Sequence, residues 1–361
     1  MVRVTVPVPG RAYDVTIGSG VLAETGRAVA SVSGGSVAFV VSDATVSELW
    51  FEPVAAALRD EGFSPVLLTV VDGEAAKSLD AYGALLRQLA GREAHRDDPI
   101  LALGGGAVGD LAGFVASTYM RGMPFVQLPT TLTAQIDAAI GGKTAVNLPE
   151  GKNLVGTFAQ PRAVLADLDV LKTLDDRAYR SGLAEMAKYA LTLDTGLLAM
   201  LEADAGPVVA RDPVVLEDVI ARCVSAKARA VAADEHDAGA RLVLNYGHTV
   251  GHAIERLDAF AGRSHGEAIA VGMLVAARLA GSRGHPANLA ARTRRLLSAL
   301  GIDAGGAIPP VDEVIAALRM DKKYRRGVRF VLLEDVGRPV IVDDVSDEEL
   351  REALQDIEVP A

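Results

Sequence analysis

The chain of 361 residues has a single cysteine, Cys223. A disulfide within the chain and a cluster of thiolate metal ligands are therefore both excluded. Aromatic residues make up only 4%, so the core has to be assembled from Ala, Val, Leu and Ile. Positive charge is in deficit: 36 Lys and Arg against 47 Asp and Glu leave a formal net charge of −11. Nucleic acids and anionic membranes bind basic faces, and neither is expected as a partner. Nowhere do about eighteen apolar residues run together without a charge or a turn former, the length that a membrane-crossing helix needs. The opening MVRVTVPVPGRAYDV alternates and carries Pro and Gly, unlike the apolar region of a signal peptide. The expected location is cytoplasmic.

What is present suits a compact two-domain protein of this length. Residues 2–8 and 13–17 read as a hairpin around Pro9-Gly10. Short apolar runs at 37–41, 65–71 and 99–103 alternate with helix-like segments, one reaching about residue 58 and one over 76–89. That alternation predicts an α/β fold whose parallel sheet is covered on both faces. Ligands on such sheets bind at the carboxyl ends of the strands, where Asp43, Asp72, Glu74 and Gly104-Gly105-Gly106 fall. After residue 174 the pattern changes to long helix-like segments at 175–203, 213–233, 240–257, 267–282 and 287–300. We therefore expect an α/β domain over 1–174 and a mostly helical domain over 175–361. Within the second, 328–333 and 339–342 flank Asp335-Val336-Gly337 as a hairpin, and Ser346-Asp-Glu-Glu349 is a capping-box signature opening a last helix.

Several clusters could carry chemistry. Gly104-Gly105-Gly106-Ala107-Val108-Gly109 satisfies G-x-G-x-x-G between a strand and a helix, where bare backbone and free N–H groups can receive a pyrophosphate. It lies on a late strand and lacks the acid about twenty residues on that usually holds a ribose. Asp110 or Asp43 could take that role. Lys143, Lys152 and Asn153 sit among glycines and suit a phosphate or carboxylate. Glu185 and Lys188 stand at i, i+3 among small and apolar residues. A carboxylate buried there needs a partner or a metal.

Residues 240–255, ARLVLNYGHTVGHAIE, concentrate Arg241, Asn245, His248, His252 and Glu255 in an otherwise mostly apolar stretch. In a helix, His248 and His252 share a face, with Glu255 a turn beyond His252. Such a pair binds a divalent metal, zinc above all, or packs without one. His265 opens another helix beside Gly266. Together with Glu185 and either His248 or His252, it completes a three-ligand site of two nitrogens and one oxygen, with positions left for substrate. Asp321-Lys322-Lys323 reads as a solvated turn.

Taken together, GGGAVGDLAGFVASTYMRG, LPTTLTAQIDAAIGGKTAVN, GKNLVG, GLAEMAKY, LNYGHTVGHAIE and SHGEAIAVGM resemble the signatures of the 3-dehydroquinate synthases, in order and spacing. The resemblance runs from about Asp43 to Lys323 and extends, less closely, to other sugar phosphate cyclases. It implies an N-terminal nucleotide-binding domain, a C-terminal helical metal-binding domain and a homodimer. It also implies Zn2+, with Co2+ as an alternative, held by Glu185, His248 and His265, which leaves His252 as a proton-transfer residue. NAD would be held by Asp43, Glu74, Lys77, Gly105, Gly106, Ala107, Asp110, Thr130 and Thr131, with Lys143 and Lys152 nearby.

The substrate implied is a keto acid phosphate. Lys143, Asn153, Asn245, Lys322 and Lys323 would surround its phosphate, and Arg121 would reach it from a second subunit. Lys227 and Arg241 would hold its carboxylate, with Asp137, Lys152, Lys188 and His252 at the reacting centre. Ala138-Ala139 stands where the family often has serine, and Asp237 where glutamate is frequent. Neither departure removes a charge that the mechanism needs. A synthase of the amino analogue could keep every residue named. A metal-dependent polyol dehydrogenase would not need Lys143, Lys152, Lys227 and Arg241.

Overall fold

The computed structural model describes residues 1–258, 262–305, 308–319 and 328–355. They form two compact units. The first comprises Met1–Leu174 and Pro213–His236, and the second Asp175–Asp212 and Asp237–Ala361.

The first unit is built on a seven-stranded sheet. Its strands are β1 (Val2–Val6), β2 (Tyr13–Gly18), β3 (Val37–Asp43), β4 (Ser64–Val70), β5 (Ile100–Gly104), β6 (Phe125–Pro129) and, after an intervening hairpin, β9 (Ala163–Asp167). Their order is β1-β2-β9-β6-β5-β3-β4. The β1–β2 pair is antiparallel and every other pair is parallel. Strands β3 and β5 are wholly or almost wholly buried, as expected where helices cover both faces. Phe39, Val41, Ile100 and Ala102 pack with Leu111, Phe114 and Val115 of the helix Gly106–Thr118. Burying each large side chain contributes roughly 1.5–3 kcal/mol. From β3 the chain passes to β4 on one side and later to β5 on the other. The strand order thus reverses between the carboxyl ends of β3 and β5, the usual ligand position on open α/β sheets.

In this unit two features depart from the sequence expectation. Residues 143–158 form a hairpin, β7 (Lys143–Leu148) with β8 (Gly151–Phe158), where the sequence pointed to an anion site among glycines without any strands. The expected division at 174 also needs correction, because the chain returns to the first unit for Pro213–His236. The helix Pro213–Ala233 presents Leu216, Val219, Ile220, Cys223 and Val224 to the interior and packs on β1 and β2. Glu217 on this helix receives the N-terminal ammonium at 2.8 Å. A helical pattern reports that a face is buried, not which domain buries it.

The second unit holds the helices Asp176–Thr192, Thr195–Ala203, Gly206–Val209, His248–Leu257, His265–Ser282, Leu289–Ala299, Val311–Arg319 and Asp347–Gln355, with the hairpin β10 (Phe330–Asp335)–β11 (Arg338–Val342). The expected helix over 175–203 is two helices, the second started by Asp194, whose carboxylate accepts from the Leu197 N–H at 2.9 Å. The expected helix over 240–257 is also broken. Ala240–Asn245 is a 3-10 turn, and Gly247, at φ +79°, caps the helix that begins at His248. The break permits a close crossing: a Cβ at Gly272 would lie 1.9 Å from the Gly247 carbonyl oxygen. Among the described residues, no helix is long and apolar enough to cross a membrane.

The last helix starts with the capping box read from the sequence. The Ser346 N–H donates to Glu349 Oε2 at 2.8 Å, and the Glu349 N–H donates to Ser346 Oγ at 3.2 Å. Arg283, capping the helix His265–Ser282, grips the same carboxylate, Nε to Oε1 at 2.7 Å and Nη2 to Oε2 at 3.0 Å. The Arg283 hydrogen bonds hold the Glu349 carboxyl down to about 2, against an opposing effect of burial. A depressed carboxyl pKa stabilises the fold above the unfolded value and loses that contribution as pH falls toward the folded one. Glu349→Gln should therefore lower stability by ~1–2 kcal/mol at pH 7. In urea denaturation, the deficit should shrink between about pH 5 and pH 3. A deficit independent of pH would show that the ion pair is not its source.

Candidate functional site

In the first unit, the expected cofactor residues gather at the carboxyl ends of β3, β5 and β6. Asp43 ends β3 and caps the helix Ala44–Asp60, accepting from the Val46 N–H at 2.8 Å. Burial pushes its carboxyl up against that hydrogen bond. Gly105 and Gly106 connect β5 to the helix Gly106–Thr118, on which Ala107 and Asp110 occupy the first turns. A Cβ at Gly106 would come within 3.0 Å of Ala138, so the sequence keeps this turn bare. Thr130, next to Thr131, donates its N–H to the Gly104 carbonyl at 2.9 Å. The buried hydroxyl oxygens of Ser42 and Thr130 have no hydrogen-bond partner among the described residues. Unpaired buried hydroxyls are uncommon, and these two suit a polar ligand over the strand ends.

Lys77 links several of the expected residues. Its ammonium is buried, contacts Asp110 Oδ2 at 2.6 Å, lies 3.8 Å from Glu74 and donates to Asn153 Oδ1. Burial drives the Asp110 carboxyl up, and the Lys77 charge opposes it. Asn147 joins this network, donating to Glu74 Oε1 at 2.7 Å and accepting from the Asn153 N–H at 2.9 Å. Asn153 is held at φ +56° and Arg121 at φ +67°. Non-glycine residues in that region carry strain of about 1–3 kcal/mol and cluster at functional sites. Lys143 and Lys152 lie on β7 and β8.

Asp137 rides on a π-helical turn, Ala134–Ala138, a device frequent at functional sites. Gln135 anchors the turn by donating to the Pro129 and Asp167 carbonyls at 3.2 and 2.7 Å. Lys227, buried on the helix Pro213–Ala233, meets Asp137 Oδ1 at 2.8 Å.

In the second unit, three helices converge on one carboxylate. Glu185 lies in the middle of Asp176–Thr192 with its side chain 2% exposed. Its Oε1 is 3.2 Å from His248 Nε2 and 3.0 Å from His265 Nε2, and its Oε2 is 2.5 Å from Lys188 Nζ. Burial alone would raise this carboxyl, but Lys188, His248 and His265 together hold it well below the usual carboxylate range.

Local sequence produces the convergence. Ser264 and Glu267 form a capping box, so the helix starts with His265 in its first turn. One turn before Glu185, Ser181 Oγ accepts the Gly266 N–H at 2.9 Å, and a Cβ at Gly266 would lie 2.3 Å from Ser181 Cα. The His248 Nδ1–H donates to the Tyr246 carbonyl at 3.2 Å, which turns Nε2 toward Glu185. His265 Nδ1 lies 3.3 Å from Glu255 Oε2. Burial would lower the His265 pKa, but the two carboxylates flanking the ring raise it to about 10.

Two groups have donor atoms close enough to hold a metal ion: Glu185, His248 and His265, and separately His252, Glu255 and His265. The first combines two imidazoles and a carboxylate, a donor set that suits Zn2+ or Co2+. His252 is exposed, its ring centre 5.3 Å from that of His248. Arg241 is buried and Asn245 half-buried on the preceding 3-10 turn. Lys322 and Lys323 lie outside the described residues. Sequence reasoning missed Asn147, the Tyr246 carbonyl and the contact of Glu255 with His265. Glu255 was visible beside the histidines, but no spacing rule joins it to a ring ten residues on in another helix.

A Gly266→Ala substitution should push the two helices apart at Ser181, lowering stability by ~1–3 kcal/mol and weakening metal binding. Thermal denaturation and chelator competition measure the two effects. Wild-type values for both would show that the contact does not set the spacing.

The same residues can be compared with those of known proteins. The family description "3-dehydroquinate synthase N-terminal" matches residues 67–181, and "3-dehydroquinate synthase C-terminal" matches 182–324. A 3-dehydroquinate synthase of Geobacter metallireducens is 44% identical over 339 residues, 93% of this chain and 94% of that protein. Among solved structures, a 2-epi-5-epi-valiolone synthase from Streptomyces hygroscopicus subsp. jinggangensis with NAD+ and Zn2+ bound superposes with a TM-score of 0.86 at 32% identity, covering 96% of both chains. A 2-deoxy-scyllo-inosose synthase complexed with carbaglucose-6-phosphate, NAD+ and Co2+ gives a TM-score of 0.85 at 29% identity, covering 98% of this chain and 99% of that one.

Proposed function

Because this chain belongs to the 3-dehydroquinate synthase family, we propose that it converts 3-deoxy-D-arabino-heptulosonate 7-phosphate into 3-dehydroquinate and inorganic phosphate in the shikimate pathway. The observation that carries this reading is the buried Glu185–Lys188 pair with His248 and His265 on the same carboxylate. A substrate hydroxyl is oxidised, phosphate is eliminated, the ketone is reduced again, and the opened chain closes by intramolecular aldol addition.

NAD and a divalent metal are the cofactors. When bound, NAD supplies an acceptor that takes and returns one hydride, and the metal supplies Lewis acidity that makes an adjacent hydroxyl more acidic. Glu185, His248 and His265 hold the metal. Asp43, Glu74, Lys77, Gly105, Gly106, Ala107, Asp110, Thr130 and Thr131 hold NAD, with Lys143 and Lys152 beside them. The unpaired Thr130 hydroxyl and the bare Gly105–Gly106 turn support that assignment.

Lys143, Asn153 and Asn245 grip the phosphate, as does Arg121 of a second copy in a homodimer, and one of Lys322 and Lys323 joins them. Lys227 and Arg241 grip the carboxylate. Lys227 is already charge-paired with Asp137, so capture of a carboxylate loosens that pair and leaves Asp137 free to accept a hydrogen bond from the substrate. Lys152, Lys188 and His252 move the protons. An ammonium buried as deeply as that of Lys188 keeps a fixed orientation and is shielded from bulk water, which favours directed proton exchange.

Purified protein incubated with the heptulosonate phosphate, NAD and Zn2+ should release phosphate with no net NADH. Steady NADH accumulation would make it a dehydrogenase instead. In the same assay, Lys188→Ala should lower kcat by ~10²–10⁴, and undiminished turnover would remove Lys188 from the proton path.

A further inference from the structure

The two possible metal triads share His265 but use different ring nitrogens. Nε2 faces Glu185 at 3.0 Å and Nδ1 faces Glu255 at 3.3 Å. A neutral imidazole has one lone pair and one N–H, so it can serve only one triad at a time. We infer that Glu255 is a positioning residue that selects between them, by accepting the Nδ1–H of His265 and thereby directing the Nε2 lone pair toward Glu185 and His248. This inference rests on the metal-site reading above and leaves His252, a member of the second group, outside the coordination shell.

The surroundings favour this division. Glu255 is a buried residue on the inner face of the helix His248–Leu257, beside Ala253 and Ile254. A carboxylate held there has little freedom to leave its partner. His248 is fixed in the same sense, because its Nδ1–H donates to the Tyr246 carbonyl at 3.2 Å and its Nε2 is turned inward. Both metal-facing imidazoles are thus oriented from behind, one by a backbone carbonyl and one by a carboxylate. His252 differs from both in exposure: its side chain is exposed, whereas those of His248 and His265 are half-buried. Partners of this kind set ring orientation and ligand basicity, and their loss typically weakens metal affinity 10–100-fold.

The test uses the full-length protein and measures Zn2+ affinity by chelator competition, together with the visible spectrum of the Co2+-loaded form. Glu255→Ala should weaken Zn2+ binding about 10–100-fold and alter the cobalt bands. Glu255→Gln should stay within a few-fold of wild type, since its amide oxygen can accept the same Nδ1–H. His252→Ala should leave affinity and spectrum unchanged. If Glu255→Ala binds Zn2+ as wild type does, with the same cobalt spectrum, the inference is overturned. If His252→Ala loses the metal while Glu185→Gln retains it, the other triad is the site. Should Glu255→Ala fail to fold, Glu255→Met replaces it, keeping much of the volume without an oxygen acceptor: weakened Zn2+ binding there supports the inference, and wild-type affinity with an unchanged cobalt spectrum overturns it. Wild-type protein that binds no metal would instead overturn the metal-site reading itself.

Discussion

A charge taken out of water has to meet an opposite charge or a ligand, and this protein buries several. Glu185 and Lys188 are each 2% exposed, and Lys77 and Lys227 are each 5% exposed. Pairs of this kind are poor stabilisers, because desolvation offsets most of their mutual attraction. Removing one partner is far more damaging, since it strands the other in low dielectric. Buried pairs at the places where the sequence suggested chemistry therefore read as working groups with their counterions in waiting. Lys77 holds Asp110, Lys227 holds Asp137, and Lys188 with two imidazoles holds Glu185.

Such pairs also give the residues a means of responding to ligands. A cation at Glu185 would take over the charge balance that Lys188 supplies to that carboxylate. An anion arriving at Lys227 would compete with Asp137. Each exchange replaces one buried pair with another, so neither leaves a bare charge behind. The helical packing serves the same end. Gly266 against Ser181 and Gly272 against the Gly247 carbonyl bring backbones so close that a methyl group would not fit. That closeness lets side chains from three helices reach one carboxylate.

Much of this was legible in the sequence. Alternating apolar runs and helical segments mark the parallel sheet because its inner strands, such as β3 and β5, are buried on both faces, and Asp43 and the glycine run fall at its strand ends as the α/β rule requires. Glu185, His248 and His265 stood out as candidate ligands, and the structure brings their donor atoms together. The same residues left His252 as a rival until the family resemblance separated it, since helical spacing places both histidines on one face. Other features were hidden for physical reasons. The helix Pro213–Ala233 has the same apolar periodicity whichever unit buries it. The break at Gly247 depends on a neighbouring helix more than twenty residues on. Lys143 and Lys152 stood out as lysines among glycines, but the β7–β8 pairing that carries them depends on a register with no apolar alternation to signal it. The contact of Glu255 with His265 is tertiary and has no local signature.

The proposed metal site is one coordination sphere, with Glu185 as its carboxylate and the imidazoles of His248 and His265 as its nitrogen donors. X-ray absorption at the zinc edge of the loaded protein examines that sphere directly. The scattering should fit two imidazole rings with the remaining donors oxygen. It should be the same in His252→Ala, a comparison needed because the alternative group of His252, Glu255 and His265 also has two rings. A fit requiring three imidazoles would bring His252 into the shell and contradict the separation between metal ligand and proton carrier.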